Sequence, residues 1–299
     1  MGTFTTKDGT DIFTYSLTTV DANVAAGTRL VIQGSSLQAG ETLTFDGSAE
    51  TDGVFQVFGG RDADMLIGGA NGDHLLGRAG NDELVGNDGD DRLRGGLGQD
   101  RLEGGNGSDL FVYTAQGGDE GYANAVFEST GAARDVLVGF DFDEDLIDIP
   151  ETVTGLVYDA DGSLSEASFD ADLAAALGSF QVGAALLFTA DGGDLVGRQF
   201  LVVDANADGL YSSGDDFVFE LETPAGQTPT TAHFLIYASA GPVPARCPVF
   251  PSKRGALLRA CRPCKVALHS SPPLYLFGGS LLSCAPATLH ERWSLSALH

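Results

Sequence analysis

Asp64, Asp73, Asp82, Asp91, Asp100 and Asp109 follow one another at a constant interval of nine residues. Carboxylates repeated in this way become oxygen donors for a hard cation once the chain stacks them. The period is not confined to the acids. Residues 59 to 112 divide without a gap into GGRDADMLI, GGANGDHLL, GRAGNDELV, GNDGDDRLR, GGLGQDRLE and GGNGSDLFV. Position six is always Asp, and position eight is always apolar: Leu66, Leu75, Leu84, Leu93, Leu102 and Phe111. Each unit reads as a six-residue turn, whose glycines allow positive φ, followed by a three-residue strand with one side chain pointing inward. Two units make one coil. Coils stacked about 4.8 Å apart line up the apolar residues as a thin core and the aspartates along two edges. Two carboxylates about 5 Å apart repel by roughly 1–3 kcal/mol, so the stack opposes itself. A divalent cation between turns converts that repulsion into ligation. Carboxylate oxygens and free turn carbonyls together can supply the six to eight oxygens that calcium takes, whereas magnesium's smaller octahedron suits such a cage less well.

These units resemble the GGxGxDxUx repeat of the RTX (hemolysin-type) calcium-binding proteins. The resemblance implies an all-β fold, a right-handed parallel β-roll, with calcium as the cofactor held between turns two repeats apart. It also implies the six aspartates as side-chain ligands and up to four sites, framed by turns one and three, three and five, two and four, and four and six. The sequence departs from the pattern at Asp62 and Asn71, where position four is not glycine, and at Arg78 and Asn87, where position two is not.

A second candidate calcium loop is DANADGLYSSGD, residues 204 to 215. Oxygen side chains fall at its positions one, three, five, nine and twelve (Asp204, Asn206, Asp208, Ser212 and Asp215). Gly209 is sixth and Leu210 offers a carbonyl at seven, the spacing of an EF-hand loop. The alternative is an Asx-rich turn between two strands.

Around the repeats, GTRLVIQG, GETLTFDG and DGVFQVFGG read as strands leading into the roll, with Val57 already in its apolar register. Downstream, FVYTAQ and ARDVLVGFDFDEDLIDIP resemble the segment that follows the repeats in serralysin-type secreted proteases. That resemblance implies antiparallel strands capping the roll and a route to a C-terminal export signal; the local pattern alone reads as a hairpin with an acidic turn. SFDADLAAALG predicts a helix with Ser168 at its N-cap and Gly178 at its end, then a strand through AALLF.

Of the 299 residues 42 are acidic and 16 basic, a formal net charge of −26, which argues against nucleic acid and anionic membranes and for cations as partners. The last 54 residues reverse this balance. They hold seven of the basic residues, one acid, all four cysteines and the single tryptophan. The organisation read from the sequence is a β-strand flank over 1–52, the roll over 53–113, a β-rich flank with the EF-hand-like loop over 114–240, and an atypical tail over 241–299, expected to be disordered or frameshifted. The CRPC at 261–264 lacks a second well-spaced pair for a zinc site. The start lacks the pattern of a secretory signal peptide, and no apolar run is long enough for a membrane span. GxSxG, GxxxxGK[ST] and HExxH are all missing, so the chain is expected not to be an enzyme. The reading is a calcium-binding protein of a Gram-negative bacterium that folds outside the cell, with a type I exporter as partner by resemblance. The alternatives are the secretion and folding module of a protease or lipase, and a surface or adhesive structural protein.

Overall fold

The computed structural model describes residues 13–113, 129–131, 133–150 and 153–222, together with the strands Phe234–Ile236, Tyr275–Phe277 and Ser280–Leu282. The chain separates into two units, 1–239 and 240–299. In the second, Tyr275–Phe277 pairs antiparallel with Ser280–Leu282. The remainder of the tail, including CRPC, lies outside the described residues.

In the first unit the odd and even strands of a coil go to opposite sheets. One sheet takes β1 (Thr14–Thr18), β3 (Thr42–Asp46), β5 (Met65–Ile67), β7 (Glu83–Asp88) and β9 (Arg101–Asn106) in parallel order. The other takes β2 (Arg29–Gln33), β4 (Val54–Phe58), β6 (His74–Ala79), β8 (Arg92–Leu97) and β10 (Leu110–Val112). This is the parallel roll that the nine-residue period requires, since each turn carries the chain from one sheet to the other. Position eight stays in step throughout: Phe45 pairs with Leu66, Leu66 with Leu84 and Leu84 with Leu102 on one side, and Val57 with Leu75 and Leu75 with Leu93 on the other. All of these side chains are fully buried between the sheets. The upstream strands therefore enter the roll in the register their sequence gives Val57.

Downstream the expectation of an antiparallel cap needs correcting. β11 (Asp135–Val138) pairs parallel with β9, and β12 (Leu146–Ile149) pairs parallel with β10, so these two strands belong to opposite sheets and form no hairpin with each other. The physical reason is visible in their residues. Asp135 and Leu137, and likewise Asp145 and Ile147, repeat the Asp-x-apolar spacing of positions six and eight, so both strands fit the roll's next coil.

Antiparallel pairing begins further on, where β14 (Ala184–Gly192), β15 (Gln199–Val203) and β16 (Phe217–Glu222) form a meander. β16 joins it to β11, and β13 (Gly155–Ser163) closes the far edge beside β14. β17 (Phe234–Ile236) extends the other sheet beyond β12. The helix α1 (Phe169–Leu177) starts after Ser168 and stops at Gly178, whose φ of 57° ends it as expected. It buries Phe169 and Leu173 in a second apolar cluster with Phe188, Phe200 and Val218. Arg134 stacks 4.2 Å from the centroid of the Phe169 ring and pairs with both Glu166 and the buried Glu220, tying the helix region to the meander.

Candidate metal centre

The turns between strands carry all six repeat aspartates, and every one is at most 3% exposed. Turns running to β5, β7 and β9 bring Asp64, Asp82 and Asp100 to one edge; turns running to β6, β8 and β10 bring Asp73, Asp91 and Asp109 to the other. Along each edge a carboxylate oxygen accepts the backbone N–H of the aspartate one coil earlier. Asp82 Oδ1 takes Asp64 N–H at 2.7 Å and Asp100 Oδ1 takes Asp82 N–H at 2.8 Å. Opposite, Asp91 Oδ1 takes Asp73 N–H at 2.6 Å and Asp109 Oδ1 takes Asp91 N–H at 2.9 Å.

Both ladders continue past the repeats. Asp135 Oδ1 accepts Asp100 N–H at 2.9 Å, and Asp145 Oδ1 accepts Asp109 N–H at 3.0 Å. Sequence reasoning missed these two aspartates because 35 and 36 residues separate them from their partners, against 18 within the repeats. The Asp-x-apolar spacing was the signal available to find them.

The second oxygen of each carboxylate divides the ladder into ends and middle. At the upstream end Asp64 Oδ2 accepts Gly60 N–H at 2.5 Å, and Asp73 Oδ2 accepts Gly69 N–H at 2.6 Å. At the downstream end Asp135 Oδ2 accepts the Tyr113 hydroxyl at 2.9 Å and Asp145 Oδ2 accepts Asp141 N–H at 2.8 Å. Between them, Oδ2 of Asp82, Asp91 and Asp109 is buried with no hydrogen-bond partner. Burial of a charge without compensation raises its proton affinity. It pushes the Asp82 and Asp91 carboxyls up to about 8, against backbone hydrogen bonds that pull down, with same-edge aspartates adding to the rise. Asp73, Asp109 and Asp145 are pushed by burial to about 6.

Glycine at position one, constant in all six units, has a steric cause here. A Cβ on Gly86 would stand 2.1 Å from Asp91 Oδ2 and 2.4 Å from the Gly104 carbonyl oxygen. The same convergence of a repeat's own aspartate with the carbonyl two repeats on recurs at Gly59, with Asp64 and Gly77, and at Gly68, with Asp73 and Gly86. The two nearest atoms in each case are oxygens, one carboxylate and one carbonyl, the donor type that a hard cation takes. Position four decides the turn's shape. Gly80, Gly89, Gly98 and Gly107 have φ between 116° and 138°, a region that side chains avoid. With Asp62 and Asn71 in that place, the first two turns follow another path, and the position-two amides of Gly60 and Gly69 face inward onto the aspartates. Arg78 and Asn87, by contrast, adopt φ of 85° and 79°, on the same positive side as Gly96 and Gly105 at that position.

In the other candidate loop, Asp204 is buried and already bonded: Oδ2 accepts N–H from Gly183 at 2.7 Å and Gly209 at 2.9 Å, and Oδ1 accepts Asp208 N–H at 3.1 Å. Asn206 and Asp208 are exposed and bond to each other, the Leu210 side chain is exposed, and Asp208 Oδ1 accepts Leu210 N–H at 2.8 Å. Asp215 is exposed. The buried acid at that end is its neighbour Asp216, which accepts Ala205 and Ser212 N–H and which the loop spacing did not single out.

A parallel roll edged by two ladders of buried carboxylates defines a calcium-binding repeat module. Residues 56–84 and 76–111 match the RTX calcium-binding nonapeptide repeat (4 copies), so the roll carries RTX repeats and calcium is its ion. Solved structures similar to this chain include solution structures of two subunits from the Azotobacter vinelandii mannuronan C5-epimerase. The AlgE6R3 subunit is 22% identical with a TM-score of 0.39, covering 70% of this chain and 93% of its own. The AlgE6R2 subunit is 23% identical with a TM-score of 0.30, covering 60% and 94%. No curated protein matches the chain. Among the described residues no helix is long and apolar enough to cross a membrane.

Proposed function

We propose that the roll is a calcium-driven folding switch of a secreted protein, threaded unfolded through a type I exporter and folded outside the cell. The buried, unpartnered Oδ2 atoms of Asp82, Asp91 and Asp109 carry this reading. Uncompensated buried carboxylates destabilise the roll, and an ion that binds only the folded state stabilises it by RT ln(1 + [L]/Kd) per site. Asp82, Asp91, Asp100 and Asp109 are the proposed side-chain ligands of the central turns, with Asp64 and Asp73 completing the outer ones. The ion supplies charge neutralisation and oxygen coordination. The chain supplies the register that brings carboxylate and carbonyl together. The Asp204 loop is proposed as a separate calcium site on its ligand spacing, in which the ion would exchange with the N–H groups that Asp204 now binds. Coupled sites give a steep response, and extracellular calcium modules work at Kd of about 10⁻⁴–10⁻³ M, well above cytosolic calcium. Limited proteolysis of the full chain tests the switch: residues 53–113 and 133–149 should be cut in chelator and protected in millimolar calcium, and equal resistance in both would refute it.

A further inference from the structure

Upstream of the repeats, the register of the roll puts Leu43 and Phe55 where later coils have aspartate, so both carboxylate ladders stop there. The turn between β3 and β4 nevertheless carries acids of its own, Glu50 and Asp52. A short 3-10 turn, Asp21–Asn23, lies against it, and Asp21 Oδ1 accepts the Thr51 hydroxyl and, at 3.1 Å, its N–H. One carboxylate oxygen each from Asp21, Glu50 and Asp52 lies within 4.8 Å of the other two. Glu50 is completely buried. Its Oε1 accepts N–H from Gly53 at 2.9 Å and from Asp52 at 3.3 Å, and its Oε2 is buried without a partner. None of the ion pairs among the described residues reaches this group.

Three carboxylates this close, one of them withdrawn from water, are held together against their own repulsion unless a cation sits among them. We propose that Asp21, Glu50 and Asp52 form a calcium site outside the repeats. The donors are all carboxylate oxygens, which select a hard cation over zinc or copper. Asp21 and Asp52 are exposed, so the ion enters from solvent and keeps water in its remaining positions. By bridging the 3-10 turn to the β3–β4 turn, it caps the start of the roll where the aspartate ladders have ended. Its ligands belong to no repeat, although the turn that carries Glu50 is bonded to the second repeat turn through Ala70 N–H and the Asn71 side-chain amide.

Calorimetric titration of the full chain with calcium tests this, using Glu50→Gln, which keeps the shape of the side chain, and Asp52→Asn at an exposed position. Each variant is expected to bind one ion fewer than the wild type, while the calcium-induced change in far-UV circular dichroism keeps its amplitude. An unchanged stoichiometry in both would overturn the site, as would a gain of stability in chelator without loss of an ion, the mark of a plain acidic cluster. Should Glu50→Gln fail to fold, amide exchange of Asp52→Asn decides: calcium should slow exchange at residues 21–23 and 50–53 by about tenfold in the wild type and not in the variant. Equal exchange with and without calcium in the wild type refutes the proposal whatever the repeats do.

Discussion

The first two repeat turns and the turns that follow them share position-one glycine and position-six aspartate, yet they give the aspartate opposite surroundings. Asp64 and Asp73 have both oxygens bound by backbone N–H groups. Asp91 and Asp109 each have one oxygen in the ladder and the other buried with nothing to hold. The difference traces to position four, where Asp62 and Asn71 replace the glycines at 80, 89, 98 and 107. A constant ligand column therefore does not make equal sites. The backbone path between the ligands decides whether an aspartate waits for an ion or is satisfied by its own turn.

The largest contrast is expected from removing the ligand itself. Asp91→Ala leaves Asp73 N–H without its acceptor, a cost of about 1–3 kcal/mol, and removes a ligand from a site worth about 2.7 kcal/mol at calcium a hundredfold above Kd. The calcium-loaded chain should lose about 4–6 kcal/mol in denaturant unfolding by these two contributions together. Asp64→Ala orphans two N–H groups, those of Leu43 and Gly60, but should lose less than half as much of the calcium-dependent part, the stability in calcium minus that in chelator. Equal losses would break the distinction between the turns.

Acid should act in opposite directions with and without the ion. In chelator, the folded carboxyls of Asp82 and Asp91 hold their protons up to about 8 while the unfolded chain releases them near 3.8. The folded state is then favoured below about 4 and loses that advantage progressively as pH rises towards 8. With calcium present the ion needs the ionised form, so stability should rise over the same window. Thermal unfolding across pH 4–8, with calcium and with chelator, should give curves of opposite slope.

A subtler change tests the cause of the contrast. Asp62→Gly with Asn71→Gly gives the first two turns the residue their later counterparts have at position four. Calorimetry should then show up to two ions more, or tighter binding of those already present, with little change in the calcium-loaded fold. No change in count or affinity would remove position four as the cause. The smallest expected effect lies far from the roll: Asp204→Ala with Asp208→Ala should lower the stoichiometry by one and leave the roll's response intact. An unchanged count would leave the loop as the hydrogen-bonded turn that Asp204 and Asp216 close.

The roll was readable because its physics is periodic. A nine-residue repeat fixes the strand, the turn, the inward Leu and the edge Asp together, and the three upstream strands and the helix from Phe169 to Leu177 followed from alternation and end signals. Asp135 and Asp145 were illegible as ladder members because the interval to them breaks the period, although their local spacing conforms. The group of Asp21, Glu50 and Asp52 had no sequence signal, since irregular turns almost thirty residues apart bring its members together. Which turns leave an oxygen unpartnered was half legible. The departures at Asp62 and Asn71 stood in the sequence, but the inward rotation of the Gly60 and Gly69 amides required the folded backbone.

Far-UV circular dichroism of the full chain, starting in excess chelator and titrated with calcium, tests the central claim most directly. The chain should begin with an incomplete β signal and gain the rest over a narrow range of calcium near about 10⁻⁴–10⁻³ M, with magnesium failing to replace it. A β signal already complete in chelator would contradict calcium-driven folding, and full substitution by magnesium would contradict the fit of the central turns to calcium.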